Sequence, residues 1–99
     1  CASFKDEPVQ ARSGLATKPG NYVYLMASKQ VQVCIEDAQH HRTVLSLEAG
    51  TGRSVHGNPP WVLASRNLKS VQIYFQGAKV VLPGATESRI ILKEQAVSP

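Results

Sequence analysis

Ninety-nine residues hold one domain and leave no room for a multi-domain enzyme. Hydrophobic residues at 42% and charged residues at 18% describe a globular chain, not a disordered one, a coiled coil, a zinc finger or a disulfide-dense toxin. Eleven Lys+Arg against seven Asp+Glu leave a scattered +4, a weak preference for anionic partners, and no apolar run reaches the roughly 18 residues of a membrane helix.

The sequence opens on Cys1. Cys1-Ala2-Ser3 resembles the mature start of a bacterial lipoprotein. In that family the first cysteine carries a thioether-linked diacylglycerol and an acylated amino group. The resemblance implies lipidation of Cys1 and a membrane anchor, since each buried CH₂ supplies about 0.8 kcal/mol. Ala2 in place of Asp points to the outer membrane. Without a lipid, Cys1 is free to pair with Cys34, closing a loop of about 33 residues and adding roughly 3–4 kcal/mol.

Residues 1–20 read as a flexible tether. Lys5, Asp6, Glu7, Pro8, Arg12, Gly14, Pro19 and Gly20 interrupt any apolar period. Fully extended, such a leader reaches roughly 66 Å at about 3.3 Å per residue. The best candidate for an edge strand within it is residues 9–15.

A β domain is expected over residues 21–94. Tyr22, Val23, Tyr24, Leu25 and Met26 form its first apolar run. Val31, Val33 and Ile35 alternate with Gln32, Cys34 and Glu36, the period of a half-buried strand. Residues 37–42 break the pattern and close a hairpin onto the run from Thr43 to Leu47. Gly50 and Gly52 mark a corner. A short strand over residues 53–56 precedes Gly57-Asn58-Pro59-Pro60, the strongest break in the chain. Trp61 opens the next strand, and residues 66–70 form a link. Val71, Ile73 and Phe75 alternate with Gln72, Tyr74 and Gln76. A turn at Gly77-Ala78 returns the chain through Lys79-Val80-Val81-Leu82. The last strand covers residues 89–93, and residues 95–99 are a tail.

About seven short strands with turn chemistry between them predict an all-β fold, a small antiparallel β-sandwich or partly open barrel. The expected core is Val31, Val33, Ile35, Val44 or Leu45, Leu47, Trp61, Leu63, Val71, Ile73, Phe75, Val80, Leu82, Ile90 and Leu92.

The segments VQVCIEDA (31–38) and LSLEAGTGRSVHGNPPWVLASRNLKSVQIYFQGAKVVL (45–82) resemble the periplasmic C-terminal domain of the bacterial cell-shape protein RodZ. Asp37-Ala38, Leu47-Glu48-Ala49-Gly50, Gly57-Asn58-Pro59-Pro60, Asn67, Val71, Gly77 and Val80-Val81-Leu82 fall in the family's order and spacing. The resemblance implies a small β domain in the periplasm or on the cell surface. These are turn and core positions, so they speak to fold more than to function. Two family features are missing. No aromatic opens the strand at Val31, and the Asp-Ala-x-Gly turn has no glycine, because Gln39-His40-His41 stands there. The family's cytoplasmic helix-turn-helix domain and membrane helix are not in this sequence.

His40 and His41 beside Glu36 and Asp37 suggest a metal site, but neighbouring strand residues face opposite ways, and no Cys/His spacing fits a zinc signature. His56 is remote in sequence. Cys34, between Val33 and Ile35, reads as a packed residue rather than a nucleophile, and no Gly-x-Ser-x-Gly is present. No catalytic residue, metal or cofactor is expected. Arg42, Arg53, Arg66, Lys69, Lys79 and Arg89 carry the positive balance. Nucleic-acid binding would need stacking aromatics among them, and Tyr22, Tyr24 and Tyr74 are the only candidates. An anionic envelope surface suits these charges better than nucleic acid.

The function expected is that of a non-enzymatic cell-envelope lipoprotein, membrane-anchored through Cys1. Its β domain is an interaction module for an envelope protein or peptidoglycan, with an edge strand open to β-augmentation. The alternative is a surface-exposed antigen that contacts host molecules. The sequence assigns no binding residue and no oligomeric state.

Overall fold

The computed structural model describes residues 9–10, 12–13, 16–82 and 89–96. Its strands are β1 (Val9–Gln10), β2 (Arg12–Ser13), β3 (Tyr22–Ala27), β4 (Val31–Glu36), β5 (Arg42–Leu47), β6 (Gly52–His56), β7 (Trp61–Ala64), β8 (Val71–Phe75), β9 (Ala78–Val81) and β10 (Arg89–Leu92). A 3-10 turn, Leu68–Ser70, leads into β8.

The strands form two sheets packed face to face, a sandwich and not a closed barrel. The first runs β1-β10-β7-β4-β5 and the second β2-β9-β8-β3-β6. In each sheet the four longer strands are antiparallel. The two-residue strands extend one edge of each sheet, β1 parallel to β10 and β2 antiparallel to β9.

The sequence dictates this layering through its period. In β8 the buried residues Val71, Ile73 and Phe75 alternate with outward Gln72 and Tyr74. In β3, Val23, Leu25 and Ala27 point inward and Tyr22, Tyr24 and Met26 outward. The inner faces meet in one core that also takes in Val31, Val33, Ile35, Leu45, Leu47, Trp61, Leu63, Val80, Ile90 and Leu92. Of the pair Val44 or Leu45, Leu45 is the buried member, and Val44 is 52% exposed. Leu82 is only half-buried against the core. Val23, Leu25, Ala27 and Leu68 are core residues the sequence pattern did not single out.

The chain changes sheet at the two breaks that the glycines announce. Gly50, with φ +81°, lies in the turn between β5 and β6, and Gly57 lies between β6 and β7. At Gly57 a side chain has no room: a Cβ would stand 2.6 Å from Asp37 Oδ2 and 2.9 Å from Trp61 Cη2.

The domain also takes in residues assigned to the tether. β1 and β2 join both sheets, and Ala16 and Gly20 are buried. Trp61 Nε1 donates to the Gly20 carbonyl across 3.0 Å in the interior. Residues 1–8, at the start of the expected tether, lie outside the described residues.

The β8–β9 turn sits one residue earlier than expected, at Gln76-Gly77, with φ values of 54° and 79°. Two left-handed residues make the tight turn whose twist suits a hairpin. Gln76 adopts a conformation that costs a side-chain-bearing residue about 1–2 kcal/mol. Its hydrogen bonds offset that cost. The buried side chain donates from Nε2 to the Gln95 carbonyl (2.8 Å) and accepts from the Gln95 N–H at Oε1 (2.9 Å). The Gln76 carbonyl accepts from the N–H groups of Thr17 (2.9 Å) and Lys18 (3.3 Å). One residue therefore ties the segment before β3 and the segment after β10 to the same turn. Gln76→Ala is expected to cost about 1–3 kcal/mol in a urea titration, since two side-chain hydrogen bonds are lost in a buried setting. A loss under about 0.5 kcal/mol would refute that role.

Candidate functional site

The expected site residues fall into separate places. Cys1 lies outside the described residues. Cys34 is buried in β4 and disulfide-bonded. Cys1 is the only other cysteine of the sequence.

The His40-His41 stretch builds the β4–β5 hairpin. His40 adopts a left-handed φ of 63°. Its Nδ1 lies 2.6 Å from Glu36 Oε1, and Arg42 Nε donates to Glu36 Oε2 across 2.8 Å. The hydrogen bonds from His40 and Arg42 hold the Glu36 carboxyl below its ordinary range, against the smaller opposing effect of burial. Asp37 is buried and accepts backbone N–H bonds from Gln39 (3.0 Å), His41 (2.9 Å) and Asn58 (3.4 Å). Burial pushes its carboxyl up, and the three N–H donors with the nearby His41 ring outweigh that and lower it. Asp37 thus joins the hairpin to the Gly57 corner, as does the Ala38 N–H bond to the Asn58 carbonyl (2.9 Å). Asp37 is occupied in holding backbone, and Glu36 in holding the His40 and Arg42 side chains. Among the described residues, no group of three or more His, Cys, Asp or Glu side chains is placed to hold a metal ion.

His56 lies on the other sheet. Its ring centroid is 5.8 Å from that of Tyr22. Tyr22 is the first of three tyrosines that the register gathers on the outer face of the second sheet. Tyr24 is paired with Ser54 of β6 on one side and Tyr74 of β8 on the other. The Tyr24 and Tyr74 rings are 6.0 Å apart and tilted by 52°. Tyr74 is opposite Lys79 of β9, and its hydroxyl donates to Gln72 Oε1 across 3.2 Å. Gly52 makes the platform possible, because a Cβ there would fall on the Tyr24 hydroxyl. Met26 is 36% exposed and Val81 is 67% exposed on this face. An open groove of about 660 Å³ lies between the start of β8 and β9, lined by Lys69, Val71 and Gln72 on one side and Lys79 to Leu82 on the other.

A third feature is the β5 edge of the first sheet. β5 ends it, paired only with β4 among the described residues. The Asp37 N–H donates to the His41 carbonyl (3.3 Å), so Ile35/Thr43, Val33/Leu45 and Val31/Leu47 are the hydrogen-bonded pairs of the alternating ladder. The Ser65 hydroxyl bonds the Gln32 carbonyl (2.8 Å), as that phase requires. Val44 and Ser46 therefore turn their backbone N–H and C=O groups away from the sheet, and their side chains are exposed.

The sequence marks the tyrosines only as strand residues. Their convergence depends on β3 pairing with β8, which no local pattern announces. The period of β5 was legible, but its edge position was not.

Searches of protein-family models, curated proteins and solved structures find no match to this chain.

Proposed function

We propose that this chain is an exported, non-enzymatic interaction module of a bacterial cell envelope, which receives an extended segment of a partner protein on β5. The observation that carries the reading is the outer edge of β5, which no other strand covers among the described residues, with outward backbone at Val44 and Ser46. Natural edges are commonly protected by Lys, Pro or a bulge. β5 has neither Lys nor Pro, and its one charged residue, Arg42, is engaged with Glu36. Strand addition supplies affinity through main-chain hydrogen bonds, with alternate side chains giving selectivity.

Export is supported by the disulfide at Cys34, because such bonds persist in oxidising compartments. The resemblance to the RodZ periplasmic domain points to the same side of the membrane. His40 occupies the place of that family's turn glycine and holds the left-handed φ that glycine would supply. A lipid on Cys1 and an intrachain disulfide compete for one sulfur, so the lipid anchor belongs to this reading only as an alternative form of the same exported domain.

The test combines location, mass and edge chemistry. Fractionation of native cells is expected to recover the protein in the envelope. Its intact mass should show either an oxidised cysteine pair or a diacylglyceryl-plus-acyl adduct. A photo-crosslinker at Ser46 should trap a partner, and Val44→Pro should abolish the trapping. Position 44 donates no ladder bond, so proline there leaves the sheet intact. A cytoplasmic protein with both thiols reduced would refute the reading. So would trapping that is indifferent to Val44→Pro.

A further inference from the structure

We propose that the outer face of the second sheet binds an anionic polysaccharide, with sugar rings lying on Tyr22, Tyr24 and Tyr74 and their carboxylates held by Lys79 and Lys69. The choice of this polymer rests on the exported location proposed above; the binding measurement itself does not.

Three observations lead to this ligand class. The first is the arrangement of the rings. Tyr24 and Tyr74 are neighbours across the β3–β8 ladder with centroids 6.0 Å apart, and Tyr22 continues the row along β3 beside His56. Half-buried tyrosines offer an apolar ring and a hydroxyl together. A pyranose has the matching character, with C–H groups on its faces and hydroxyls around its rim. Ser54 and Gln72 put further hydrogen-bonding groups among the rings.

The second observation is charge. None of the outward residues of β3, β6, β8 or β9 is acidic. Lys79 stands opposite Tyr74, and Lys69 joins it on the 660 Å³ groove. That volume lies within the range of small-molecule sites, about 300–1,000 Å³, and suits a monosaccharide unit with its substituents. The acidic pair Glu36 and Asp37 belongs to the other sheet and is occupied by His40, Arg42 and backbone N–H groups, and Glu94 accepts a hydrogen bond from the Gly20 N–H.

The third observation selects the polymer. A basic aromatic sheet surface also suits single-stranded nucleic acid, whose bases stack on such rings. The Cys34 disulfide argues for an oxidising compartment outside the cytoplasm, and so for a glycan over an intracellular nucleic acid. A protein partner is a poorer match, since Met26 and Val81 are the only large apolar residues the described chain exposes on this face.

The experiment uses the full 99-residue chain and four probes: purified peptidoglycan in a co-sedimentation assay, and soluble alginate, neutral dextran and poly-uridylate in titrations. Binding to peptidoglycan and alginate is expected, weakening with salt and absent for dextran. The double variant Tyr24→Ala/Tyr74→Ala should weaken it by at least about tenfold, the scale of one aromatic stacking contact. Lys79→Glu should weaken alginate binding and leave Trp61 emission unchanged. Because tyrosine loss alters a sheet, amide shifts of the unaltered protein provide a second readout. Alginate should move Tyr24, Tyr74 and Lys79 and leave Val44 and Ser46 still. Preference for poly-uridylate, equal affinity for dextran, shifts centred on β5, or no binding to any probe would each overturn the proposal. A protein that binds alginate in this way but fractionates with the cytosol would sink the exported reading and keep the binding face.

Discussion

Trp61→Ala is expected to remove about 3–5 kcal/mol of stability, the usual cost of deleting a fully buried tryptophan. Domains of this size are stable by only about 5–15 kcal/mol, so the variant should lose a large fraction of the total. Two effects combine. Trp61 is 1% exposed in the common core, and its indole N–H holds the Gly20 carbonyl at 3.0 Å. Trp61→Phe separates them. It retains most of the apolar contact and removes the donor, leaving a buried carbonyl without this partner, and should cost about 1–3 kcal/mol. Circular dichroism during thermal unfolding measures both, since alanine or phenylalanine removes the only tryptophan and its fluorescence. A Trp61→Ala protein within about 1 kcal/mol of the original would show that the sandwich does not depend on this anchor.

The second large effect is expected at Asp37. Asp37→Ala leaves the N–H groups of Gln39, His41 and Asn58 without their acceptor and should cost about 2–4 kcal/mol. Asp37→Asn retains one carboxamide oxygen and should lose roughly half as much. The charge adds a pH signature. The folded-state carboxyl titrates below its ordinary value of 3.8, so the folded protein binds the proton less readily than the unfolded chain. This contribution is complete above the unfolded value and disappears as pH falls through the lowered folded value. Glu36 behaves alike from its ordinary value of 4.5. Urea midpoints taken from about pH 6 down to about pH 3 should fall for the original protein and fall less steeply for Asp37→Asn. Parallel curves would mean that Asp37 does not contribute through its charge.

Much of this fold was legible because β8 alternates cleanly and β4 repeats its inward residues at Val31, Val33 and Ile35, although Cys34 and Glu36 are buried too. Gly50, Gly57 and the Pro59-Pro60 step coincide with real crossings between sheets. β3 hid its inner face. Tyr22 to Met26 are five consecutive apolar residues, so composition cannot tell Val23 and Leu25 from the outward tyrosines and Met26. Leu68 sits in a polar link, and its burial comes from the 3-10 turn that folds it inward. The leader residues looked irregular because Gly and Pro suppress any period. Ala16 and Gly20 nevertheless pack on the domain, drawn in by Gln76 and Trp61. The tyrosine face was spelled out residue by residue, yet its assembly is a matter of register between strands about fifty positions apart. Cys34 was read as packed, and it is both packed and bonded.

The link between Gln76 and Gln95 has a practical corollary for trimming the chain. A side-chain amide there stands in for a neighbouring peptide and grips the polypeptide three positions beyond Leu92, where the last strand stops. Ending the protein at that strand would strip the buried Gln76 side chain of both its hydrogen bonds to Gln95. The functional boundary of the folded unit therefore falls after Gln95, and a shortened version that respects secondary structure alone would be the less stable one.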